Sequence, residues 1–162
     1  MTESENLQKS QEIKNRLETL EVLIGIREGT VEEGIDTVEA GKEESVIITS
    51  LELRSKPFNW DRSRAGDCEW REGYLTIFSD GRYEGKMNLR CNCPNINCAR
   101  HFDTSIDLQK ERDSGVVTNI PVPSKDLGRA DDEDVRYQSW ALAIATEFDN
   151  IHWAVRQQTC KG

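Results

Sequence analysis

The spacing of apolar residues changes from helical to strand-like near Val46. Before that point Ile13, Leu17, Leu20 and Ile24 recur at spacings of 4, 3 and 4, with Glu12, Lys14, Arg16, Glu18 and Glu21 on the other faces. This pattern predicts an amphipathic helix. Gly25 and Gly29 weaken it after Ile24, and Thr30 followed by Glu33 matches a capping box that starts a second, weaker helix. That helix would run to about Ala40 with Val31, Ile35 and Val38 on one face, at a cost of about 1 kcal/mol for the internal Gly34 relative to alanine.

From Val46 to Leu53 the residues are branched and end in alternation, which predicts a strand. Tyr74–Phe78 predicts another, returning through Arg82 to Leu89 across the Asp80-Gly81 pair that suits a tight hairpin. Phe102, Thr104, Ile106 and Leu108 alternate with His101, Asp103, Ser105 and Asp107, and Val116–Ile120 forms a further strand before the Pro-Val-Pro break. The acidic segment 126–134 reads as a solvated loop, followed by a terminal hairpin from Val135–Phe148 to Ile151–Thr159 across Asp149-Asn150. Tyr137, Trp140, Ile144 and Phe148 also fit a helix, and the Trp140-Leu142-Ile144 alternation favours strand. The expected architecture is mainly β with N-terminal α: an antiparallel β sandwich or small barrel of about seven strands (46–162), preceded by an amphipathic helical arm (1–45).

Composition sharpens that division. The chain of 162 residues contains no Cys, His, Phe, Trp, Tyr or Pro before Pro57, so the first third lacks the bulky rings that usually anchor a separate core. A net charge of -9 and the absence of a dense basic run argue against nucleic-acid binding. No apolar run is long enough to span a bilayer as a helix, and the acidic start lacks the features of a secretory signal, so a cytoplasmic location, or export without a cleaved signal peptide, is expected.

The densest candidate chemistry is Cys91, Cys93, Cys98 and His101, a set of ligands that Zn favours in a tetrahedral structural site, with a local disulfide or free thiols as the competing readings. Cys-x-Cys is tighter than usual finger spacing, and four protein ligands would leave no open position for catalysis. Cys68 and Cys160 remain as the other pair, either disulfide-bonded in an oxidising compartment or buried as thiols. No nucleophile elbow, phosphate loop or metalloprotease helix is present. Asp67 reads as a turn residue, the run Asp131–Asp134 as solvated surface, and Trp60, Trp70, Trp140 and Trp153 as core or as the lining of a ligand groove.

Phe58-Asn59-Trp60, Ala65-Gly66-Asp67-Cys68, Phe78-Ser79-Asp80-Gly81, Tyr137-Gln138-Ser139-Trp140, Phe148-Asp149 and the near-terminal Cys160 together resemble a family of uncharacterised small bacterial β domains. The resemblance covers Phe58 to Cys160. It implies export and a Cys68–Cys160 pairing, and no activity. The long arm and the Cys91–Cys98 loop depart from the pattern. Three functions follow as expectations. The first is a noncatalytic protein-interaction module whose arm face, Ile13, Leu17, Leu20 and Ile24, docks a protein partner or a second copy to form a homo-oligomer. The others are a pore-forming-like membrane effector, disfavoured by the acidic arm, and a zinc-dependent enzyme.

Overall fold

The computed structural model describes residues 31–48 and 50–162. The first expected helix, with Ile13, Leu17, Leu20 and Ile24, lies outside the described residues. The second is corrected: β1 (Val31–Glu39) is a strand, paired antiparallel along its whole length with the last strand of the chain. Its capping-box signal is overridden because each residue of β1 finds a backbone partner from Lys161 to Trp153.

Two antiparallel sheets face each other. One has the order β1-β10-β7-β8, where β7 is Ala99–Glu111, β8 is Ser114–Gly128 and β10 is Trp153–Lys161. The other runs β2-β3-β5-β6-β9, from β2 (Glu44–Ile48) and β3 (Leu51–Trp60) to β5 (Cys68–Phe78), β6 (Arg82–Cys91) and β9 (Asp132–Trp140). The short β4 (Ser63–Ala65) pairs with β5 beside that path. The expected β sandwich character therefore holds, with ten strands among the described residues rather than seven.

Alternation places the core. Phe102, Thr104, Ile106 and Leu108 of β7 point inward, as do Tyr83, Gly85, Met87, Leu89 and Cys91 of β6. Trp70 is fully buried between the sheets, its ring 5.2 Å from that of Phe102 and its indole N–H donating to Thr104 Oγ1 at 2.7 Å. That bond satisfies the one polar atom of the largest core side chain.

The remaining differences from the sequence pattern have local causes. The single strand expected over Val46–Leu53 is a hairpin: Ile48 pairs with Leu51, and Ser50 has φ 68 in the tight turn. β8 continues through Pro121 and Pro123, which is tolerated because β8 ends the order of its sheet and its ladder to β7 shifts register between Phe102 and Thr104. The acidic segment 126–134 is mostly strand, since Asp126 ends within β8 and Asp132 opens β9. Its charges stay outside and are paired: Asn88 Nδ2 donates to Asp132 (2.7 Å) and Asp134 (2.9 Å), and Arg71 bridges to Asp132 at 2.8 Å.

The terminal hairpin is also corrected. β9 and β10 belong to different sheets, and the chain crosses between them through α1 (Leu142–Glu147) and a 3-10 turn (Phe148–Asn150). Ile144 and Phe148 bury the inner side of this crossover while Leu142 faces solvent, a helical spacing that the alternation at Trp140-Leu142-Ile144 had masked. Buried Lys56 of β3 fixes the crossover by donating from Nζ to the carbonyls of Phe148 (2.5 Å) and Ile151 (3.0 Å), with Nζ 4.7 Å above the Phe148 ring. Burial lowers the pKa of this ammonium.

Tyr137 of β9 pairs with Gly85 of β6 and lays its ring over the space a side chain would fill. A Cβ at residue 85 would lie 2.2 Å from Tyr137 Cζ. Gly85→Ala should therefore displace the ring and lower stability by about 1–3 kcal/mol, a cost typical of overpacking. The shift of the urea midpoint at constant slope is the measurement, and an unchanged midpoint would refute this close packing.

Candidate functional site

Two ends of the sandwich carry unusual chemistry. At one end the hairpin from β4 to β5 turns through Gly66 and Asp67, with Gly66 at φ 60. Cys68, which follows, is disulfide-bonded to Cys160 of β10 with a Cα separation of 5.8 Å, and this bond joins the two sheets. The adjacent Asp67 carboxylate is 5% exposed and accepts from Arg100 Nε (3.2 Å) and Nη2 (2.9 Å). Both donors converge on Asp67 Oδ2 in a charge-assisted pair that offsets the burial of both ions. Sequence reading favoured a local turn role for Asp67 over a catalytic one and missed Arg100. The signal was weak because Arg100 sits in the alternating segment as an isolated inward-facing base.

The four expected metal ligands are not brought together. Cys93 and Cys98 are disulfide-bonded to each other across the Pro94–Asn97 loop, Cys91 is a buried thiol, and His101 faces outward. Sulfurs joined in a disulfide are not the thiolates that zinc binds. Among the described residues no group of three or more His, Cys, Asp and Glu side chains has a metal-holding arrangement. The alternation of β7 explains the divergence, because residues 100 and 102 point inward and residue 101 must then point out. Burial pushes the Cys91 thiol pKa up, which keeps it protonated.

His101 instead lies between two carboxylates, Nδ1 at 2.7 Å from Asp126 and Nε2 at 3.3 Å from Asp103. Its pKa is raised, chiefly by the hydrogen bond that it donates to the Asp126 carboxylate. The tryptophans do not share a groove. Trp70 is core, Trp60 stacks under the Arg156 guanidinium at 5.2 Å, and Trp140 is exposed with its N–H on the Asp80 carbonyl at 2.7 Å.

Arg156 is a third buried cation beside Lys56 and Arg100, 1% exposed on the inner face of β10. Its Nη2 reaches the Asp61 carbonyl and Ser63 Oγ, each at 3.3 Å, and the Asp36 carboxylate at 3.6 Å. With the Gln158 amide oxygen turned toward it, Nε donates at 2.7 Å. Burial lowers the pKa of Arg156 to about 10 and raises that of Asp36. These contacts hold Nε and Nη2 of Arg156, while its Nη1 is buried without a hydrogen-bond partner.

At the opposite end β2 and the start of β3 project as a two-stranded ribbon. Ser55 pairs with Phe78 and the Arg54 N–H donates to Ser79 Oγ at 2.9 Å, after which β3 pairs only with β2. Val46 lies opposite Leu53 and Ile48 opposite Leu51, so these four share one face. The other face holds Ser45, Ile47, Glu52 and Arg54, with Ser45 Oγ donating to Glu52 at 2.6 Å. Val46, Ile47, Ile48 and Leu51 are 54–76% exposed, and β2 ends the sheet order. Sequence reading found these residues as a strand and not as an apolar face, because the turn at Ser50 was unrecognised. Among the described residues no helix is long and apolar enough to cross a membrane.

His101 provides a direct test of the disulfide end. Its folded pKa is raised, so its ion pairs stabilise the fold below the unfolded value near about 6.5, and that contribution is lost as pH rises through the folded pKa. Asp126→Asn should lower the titration midpoint of the His101 ring followed by NMR. An identical midpoint in the variant would contradict the hydrogen bond. No protein-family model matches this chain, and no curated protein matches it.

Proposed function

We propose that this protein is a noncatalytic interaction module that associates with a second copy of itself through the aliphatic face of the β2–β3 ribbon. The observation that carries the reading is the exposure of Val46, Ile48 and Leu51 on one face, with Leu53 beside them, on a ribbon held clear of the sandwich body. Two such faces packed together bury aliphatic side chains from both copies while Glu52 and Arg54 stay on the outer sides. Four side chains per copy make a small contact, so the association is weak and concentration-dependent. The amphipathic positions Ile13, Leu17, Leu20 and Ile24 belong to the same reading as a second attachment face. Two intramolecular disulfides fit an oxidising compartment and hence the exported alternative for location.

A bilayer is the competing occupant of the ribbon. Glu43, Glu44 and Glu52 beside the aliphatic face and the net charge of -9 oppose an anionic surface, which favours the second copy. Sedimentation velocity across a concentration series should show a reversible dimer in the native chain and a monomer in Ile48→Asp/Leu51→Asp, both sites being exposed. A native chain that stays monomeric throughout overturns the proposal, and so does a dimer unaffected by the double variant. Co-sedimentation of a monomeric native chain with neutral phosphatidylcholine vesicles would assign the ribbon to lipid instead.

A further inference from the structure

The described residues include all five cysteines, and Cys91 is the only free thiol among them. Its position is not that of an isolated buried cysteine. On β6 it is the register partner of Cys68 on β5, and both side chains are fully buried on the same inner face. The Cys91 amide donates to the Asp131 carbonyl at 3.1 Å and its carbonyl accepts from Ala130 N–H at 2.9 Å. Both backbone groups therefore point away from β5, which makes Cys68 and Cys91 a non-hydrogen-bonded pair. Such pairs hold their Cα atoms about 4.5 Å apart, within the range a disulfide spans. Cys68 thus has two partners within bonding geometry, Cys160 across the sandwich and Cys91 on the next strand of its own sheet.

We infer that Cys91 is a resident exchange nucleophile that converts the Cys68–Cys160 disulfide into Cys68–Cys91 when this end of the sandwich loosens. The deprotonated Cys91 sulfur attacks Sγ of Cys68, the Cys68–Cys160 bond breaks, and Cys160 leaves as a thiolate that takes up a proton. One disulfide and one thiol are present before and after, so no oxidant or reductant is consumed. The exchange replaces a bond between the sheets with a bond inside one sheet. It leaves the end of β10 held only by its ladders to β1 and β7 and turns Cys160 into the free thiol. In the closed state burial disfavours the Cys91 thiolate, so the exchange is latent until the end opens. Cys93 lies past the end of β6 and is itself bonded to Cys98, and its exchange with Cys91 is the competing outcome of the test.

The test uses the full oxidised chain, incubated at about pH 8.5, near the ordinary thiol pKa, with iodoacetamide and then digested without reduction for peptide mass mapping. The expected result is alkylation at Cys160 together with a growing Cys68–Cys91 linked peptide, and complete loss of Cys160 labelling in Cys91→Ala. Labelling of Cys91 with Cys68–Cys160 intact overturns the inference, as does labelling of Cys98 with a Cys91–Cys93 link, or no labelling at all. A second variant is independent of these outcomes: Cys160→Ser oxidised with glutathione disulfide should contain no free thiol and a Cys68–Cys91 bond. Two remaining thiols in that variant overturn the geometry on which the inference stands.

Discussion

The disulfide between Cys68 and Cys160 is the constraint on which the sandwich depends. β5 and β10 lie inside their respective sheets, with neighbours on both sides, and the bond ties them across 92 positions of sequence. In the loop-entropy account a closure of this length restricts the unfolded chain by roughly 4–5 kcal/mol. The topology makes that contribution matter. β1, the first described strand, pairs with β10, and β10 pairs with β7, so the four-stranded sheet is incomplete until the last strand arrives. Contacts of such sequence separation are costly to form, and a covalent tie at one end of β10 holds the whole ladder once it has closed.

Register is the second requirement, and buried polar groups meet it. Arg156 and Gln158 occupy inward positions of β10 that an all-apolar pattern would fill with aliphatics. A slip of one residue would turn both outward and leave the Asp36 carboxylate and Ser63 without their donors. At the disulfide end the Asp67–Arg100 pair does the same for β7 against the β4–β5 turn. Their net contribution to stability is small after desolvation, whereas the cost of mispairing them is large, so their effect is to select one alignment.

Much of the β body was legible because period-two alternation survives in the sequence where one face is buried. Phe102 to Leu108 and the Asp80-Gly81 turn are the clearest cases, the latter with Gly81 at φ 100 and Trp140 packed against it. Local signals misled where tertiary structure competed with them. Thr30-Val31-Glu32-Glu33 carries a helix-start signal, yet β10 offered Val31–Glu39 a complete ladder. Trp140-Leu142-Ile144 looks like strand, yet the chain must cross between sheets there and does so as a helix. The cysteines were harder still, since a cluster of four ligands in sequence says nothing about which faces they occupy. Strand geometry sends His101 outward and Cys91 inward, and only the fold distinguishes the two.

The two ends of the molecule follow opposite rules, and the difference bears on how the protein works. The disulfide end buries the Asp67–Arg100 pair and ties β5 to β10 through Cys68–Cys160, so it is specified in register. The ribbon end exposes aliphatics on a strand that lacks the lysines, prolines or bulges that normally blunt a sheet edge. An unprotected apolar edge is a liability for a monomer in solution. A second surface that covers it removes that liability, and the proposed self-association is one way in which the chain meets the need.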